Sequence, residues 1–126
     1  MKNVTTHETS LRLKAAGFPQ PEPEAGQFWY DDSGVLVCIG FSYDPGGSIA
    51  RFKRTFAFAP TAADILRELG WDYGLQYDES GGVFVCSDRP ISDGFFPPDK
   101  EIKHTSPAEA CAAAWLELKE QKEHNK

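Results

Sequence analysis

Arg51, Lys53 and Arg54 form the one dense basic cluster in a chain whose net charge is −6. Alternation along residues 50–58 reads as a strand that sends Arg51 and Lys53 to one face, where two cations about 7 Å apart can grip a phosphate-bearing anion. Phe95 and Phe96 lie between Gly94 and Pro97, and aromatic side chains so placed can cover a ligand or anchor a protein partner. Arg51, Lys53, Arg54, Phe95 and Phe96 are therefore the candidate ligand-binding residues. The same residues have plain structural readings, as a solvated strand face and as rings folded back onto a sheet.

Nucleophilic catalysis needs a thiolate, a neighbouring base and a carboxylate to orient the base. Cys86, His104 and Asp88 are the residues of the right types, but Cys86 closes an apolar run, which favours a buried structural thiol. Asp31 and Asp32 resemble a carboxylate pair for metal or acid–base work. Their place before Ser33 and Gly34 is equally that of a turn. The chain carries no nucleophile elbow, phosphate-binding loop, dinucleotide fingerprint, Cys-x-x-Cys or His-Glu-x-x-His spacing. The expectation is no catalytic residue, no metal and no cofactor, hence no enzyme, with a small hydrolase as the last-ranked reading.

These residues must be positioned by elements that the pattern indicates. Ser106-Pro107-Ala108-Glu109 reads as the capped start of a C-terminal helix, with Ala108, Cys111, Ala112, Trp115 and Leu118 on the side that faces a sheet. Thr5 to Glu8 reads as a capping box for a first helix that runs to Ala16 and stops at Gly17. A proline-rich spacer follows over 18–26. Gln27 to Tyr30 and Val35 to Phe41 flank a turn and form a hairpin, with the second strand apolar enough to be central. Thr61 to Gly70 reads as a helix capped by Thr61 and Asp64. Trp71 to Tyr77 and Val83 to Cys86 form a second hairpin. Residues 87–105 read as a long irregular loop, and 120–126 as a frayed polar tail. Together these predict an α+β fold in which an antiparallel sheet of about five strands, two hairpins plus a central strand, carries the C-terminal helix and two shorter ones.

A length of 126 residues predicts a single domain over 1–126, and 40% hydrophobic with 25% charged residues is ordinary for a globular chain. Acidity argues against general nucleic-acid binding, which needs an excess of Lys and Arg. Three cysteines, each within an apolar run, read as reduced core residues of a cytoplasmic protein. No run is long and apolar enough for a signal peptide or a membrane span.

Three segments, Ala15 to Gln20, Phe58 to Leu66 and Pro107 to Leu116, resemble small, uncharacterised accessory proteins of bacteriophages and prophages. The resemblance implies a phage protein acting in the cytoplasm of an infected bacterium, with helices packed on an antiparallel sheet, and it carries no site residues. The functional expectation is a non-enzymatic protein that binds and disables a host protein, including a defence protein. The alternative is an oligomeric binder that sequesters a nucleotide-like anionic small molecule, a role that admits a homo-oligomer.

Overall fold

The computed structural model describes residues 3–40, 49–70, 73–87 and 101–124. The fold is α+β. By packing, the chain divides into two compact units, Thr5–Pro60 and a second made of Met1–Val4 with Thr61–Lys126.

The first unit begins with α1, His7–Ala15, whose N-cap is Thr6: its hydroxyl accepts from the Thr9 amide at 3.3 Å. Thr5 instead turns inward. It is fully buried, shares a 2.6 Å hydrogen bond with the buried Ser10 hydroxyl, and donates its amide to the Pro60 carbonyl. The helix ends at Ala16, and Gly17 follows with φ 96°, a backbone conformation that costs a residue with a Cβ.

The strand β1, Phe28–Tyr30, pairs antiparallel with β2, Leu36–Cys38, around the 31–35 turn. The next element is α2, a helix over Ile49–Thr55, followed by the short β3, Ala57–Phe58. The expected strand over 50–58 is thus mostly helical. Arg54 shows why: on a strand it interrupts the face made by Phe52, Phe56 and Phe58, whereas on a helix Phe52 meets Phe56 one turn on and Arg54 turns outward. The two rings stack with centroids 4.4 Å apart, the Phe56 amide donates to Phe52 O at 2.9 Å, and Arg54 is exposed. Ala, Arg and Lys are also good helix formers.

Strand order in this sheet is β2-β1-β3, so β2 is an edge and β1 is central, the reverse of what the apolar run at 35–41 predicts. Trp29 on β1 explains the centre. It is fully buried, meets Phe52 edge-on at 4.8 Å and Phe58 at 5.3 Å, and donates Nε1–H to Gln27 Oε1.

The proline-rich segment is more than a spacer. Phe18 is buried, Gln20 Nε2 donates to Phe18 O, and Gln20 Oε1 accepts the Phe58 amide, occupying a donor on β3 that pairing with β1 leaves over. Gln27 holds the other end, accepting the Glu24 amide and donating to Glu22 O.

The second unit contains α3, Ala62–Leu69, with Thr61 as the expected N-cap and Asp64 in its first turn, and the two close a capping box: Asp64 N donates to Thr61 Oγ1 at 3.2 Å and Thr61 N to Asp64 Oδ2 at 3.0 Å. Gly70 ends it at φ 98°. The strands β4, Gly74–Asp78, and β5, Val83–Ser87, form the second hairpin. Residues 101–104, expected in an irregular loop, form a third strand, β6, Glu101–His104, on the far side of β5. The six described strands therefore make two three-stranded antiparallel sheets, not one sheet of five. Among the described residues the short helices number three, α2 being the addition.

The C-terminal helix α4, Pro107–His124, packs against α3, β5 and β6. It continues through most of the expected frayed tail. Ala108, Ala110, Cys111, Ala112 and Ala114 are all buried, which at about 100° per residue covers roughly 200° of the helix circumference, twice a single stripe. Two neighbours, a helix and a sheet, require that breadth. Small side chains let all three elements approach closely. Trp115, expected to supply much of the buried area, is only half-buried, with Lys119 Nζ 6.0 Å from its ring centroid. At the start of α4, Ser106 Oγ accepts the Glu109 amide as expected, while the Ser106 amide goes to His104 Nδ1 at 2.9 Å.

Candidate functional site

The helical form of residues 49–55 rearranges the basic cluster. On a strand Arg51 and Lys53 share a face; on α2 they diverge by about 200°. Lys53 pairs with Glu22 at 3.2 Å, and Arg51 and Arg54 are exposed. The helix end is already served by Lys14, whose Nζ donates to Lys53 O at 2.7 Å, Arg54 O at 3.2 Å and Phe56 O at 2.7 Å. A cation there satisfies carbonyls that a helix C-terminus leaves over and opposes the negative end of the dipole. Burial lowers the Lys14 pKa from its ordinary value. Sequence reasoning missed Lys14, because its partners are backbone atoms about forty positions away. Phe95 and Phe96 lie outside the described residues, as does Asp88.

Cys86 and Cys111 are both buried and free of disulfide, on β5 and α4, which pack against each other. Interaction with Cys111 lowers the Cys86 pKa, and interaction with Cys86 together with burial pushes Cys111 up. In the sheet Cys86 stands opposite Ile102, whereas His104 stands opposite Phe84 and spends Nδ1 on the Ser106 amide. Asp31 is taken up by its turn: Oδ1 accepts from Ser33 N, Ser33 Oγ and Val35 N, and these bonds, that of Val35 foremost, lower its pKa. Among the described residues no three of His, Cys, Asp and Glu group as metal ligands.

A third constellation was not legible in the sequence. In the first unit His7 packs on Tyr30, ring centroids 5.2 Å apart, and its Nδ1 lies 3.0 Å from where a Cβ on Gly34 would sit. Gly34 is thus required twice over, by this contact and by φ 90°. Tyr30 Oη donates to Thr5 O at 2.8 Å, which fixes the corner. Near this contact in the chain, Leu11, one turn along α1 from His7, is 47% exposed, and Val35, next to Gly34, is 55% exposed. Glu8 and Asp32 are exposed carboxylates. Exposed aliphatic side chains with charged neighbours are residue types found at recognition surfaces.

Comparison with protein-family models, with curated proteins and with solved structures returns no match. Among the described residues, no helix is long and apolar enough to cross a membrane.

Proposed function

We infer that the chain is a phage accessory protein that acts without catalysis, binding a protein of the host cytoplasm and disabling it. The observation that carries this reading is the exposure of two large aliphatic side chains, Leu11 and Val35, on the elements that meet at His7, Tyr30 and Gly34. A surface of this kind suits a partner with an apolar cleft and basic rim, since charge complementarity steers encounter and apolar contact holds it. The resemblance of the 15–20, 58–66 and 107–116 segments to phage proteins supports the setting. Immobilised wild-type protein should retain one host protein reproducibly and inhibit its activity, whereas Leu11→Ser/Val35→Ser should retain it at least tenfold less. Equal retention by the double variant defeats the assignment to this corner.

The anion-binding alternative now rests on the exposed Arg51 and Arg54 of α2. It predicts that an extract-derived phosphate ester is carried by wild type and lost on Arg51→Ala.

A further inference from the structure

We propose that β4 is a self-association edge: two copies of the chain pair antiparallel through Gly74–Asp78, with the two-fold axis at Gln76, and join their three-stranded sheets into one of six strands. The inference does not depend on the host-protein reading. Among the described residues β4 pairs with β5 alone, and Gly74, Gln76 and Tyr77 are exposed, Tyr77 by 55%. Such an edge offers a row of amides and carbonyls to another strand. The other described edges are better guarded. On β3 Gln20 takes up the Phe58 amide, β2 is three residues long, and β6 carries the exposed Glu101 and Lys103, paired at 3.2 Å. β4 has no lysine, arginine or proline. Its one charge, Asp78, is engaged by the hairpin loop, where Oδ1 accepts from Ser80 N at 3.1 Å and Ser80 Oγ at 2.7 Å.

The residues of β4 argue for a second copy as the occupant. The antiparallel register that pairs all five sets Gly74 opposite Asp78, Leu75 opposite Tyr77, and Gln76 opposite Gln76. Asp78 then meets a glycine and not another carboxylate, which matters for chains that each carry a net charge of −6. Side chains alternate along a strand, so Leu75 and Tyr77 share a face, and each copy lays its Leu75 against Tyr77 of the other. The Tyr77 ring is already held 5.0 Å from that of Phe84, its partner on β5, so little further ordering is needed on association. Leu75 of one copy with Tyr77 and Phe84 of the other makes an apolar row across three strands, and the two Gln76 amides donate to and accept from each other at the axis. The arrangement closes on itself, because the charged β6 forms both outer edges of the joined sheet.

Sedimentation equilibrium of the wild-type chain, taken up to about 1 mM, should show monomer in equilibrium with dimer, since one strand edge buries less than a standard interface. Gln76→Lys and Gln76→Glu each set like charges opposite one another at the axis, and each should weaken the dimer by about fivefold or more. One lowers the net negative charge and the other raises it, so a general charge effect would move them in opposite directions. Mixed in equal amounts, the two variants should recover a dimer at least as tight as that of wild type. Circular dichroism checks that both variants keep the fold at this exposed position, and the wild-type series decides the proposal even if they do not. A wild-type chain that stays monomeric throughout overturns it, including the case in which the edge takes a strand of another protein. Dimers insensitive to both substitutions, or variants that fail to recover on mixing, overturn the assignment to β4.

Discussion

Replacing Lys14 by methionine keeps most of the aliphatic stem and removes only the ammonium, which isolates what the charge does at the end of α2. Three carbonyls, of Lys53, Arg54 and Phe56, lose their donor together. A hydrogen bond to a charged group contributes about 1.5–3 kcal/mol when well shielded, and a cation at a helix C-terminus adds about 0.3–1 kcal/mol. Those figures do not add, since one ammonium serves all three oxygens and the site is half-exposed, so water replaces part of what is lost. The expected destabilisation is about 2 kcal/mol. Lys53→Met is the control: it removes an exposed pair with Glu22, 69% exposed on the acid side, and should cost under about 0.5 kcal/mol. Urea unfolding followed by circular dichroism gives both numbers from midpoints at constant slope. A Lys14→Met loss no larger than that of Lys53→Met would refute the claim that Lys14 terminates α2.

The two described tryptophans should separate sharply: Trp29→Ala removes a fully buried ring and should cost about 3–5 kcal/mol, whereas Trp115→Ala at a half-buried position should cost less than half as much. Thermal or urea unfolding of the two variants checks the order, and equal losses would place Trp115 in the core after all. Asp31 has a lowered folded-state pKa, so its contribution is present above its ordinary value of 3.8 and is lost as pH falls through the folded value. Asp31→Asn should therefore lower stability most at neutral pH and least in acid, which flattens the acid limb below 3.8; an unchanged acid limb would show that the turn bonds do not shift the titration.

Local signals in the sequence were faithful wherever a side chain acts on its own neighbours. Thr61 with Asp64 caps α3, Gly17 and Gly70 follow the ends of α1 and α3, and Asp31 and Gly34 shape the turn of the first hairpin. Signals that depend on distant partners misled. The apolar run at 35–41 indicates burial on both faces, yet the centre of its sheet goes to Trp29, which gathers Phe52 and Phe58 from later in the chain. Residues 50–58 alternate like a strand because Phe52, Phe56 and Phe58 fall at even spacings, and the stacking of Phe52 on Phe56 and the Lys14 cap decide for helix over 49–55. The packing of α4 on β5, which buries both Cys86 and Cys111, joins two apolar segments whose spacing carries no metal or redox motif. The His7 corner was hidden for the same reason: a histidine in a polar segment reveals nothing of the glycine it will rest on.

Recognition of a host protein through the Leu11–Val35 corner is tested most directly by hydrogen–deuterium exchange of the chain with and without the protein it captures. Slowed exchange should fall on residues 7–13 and 33–36, with the 101–121 segment unchanged. Protection confined to the second unit, or none anywhere at saturating partner, would contradict it.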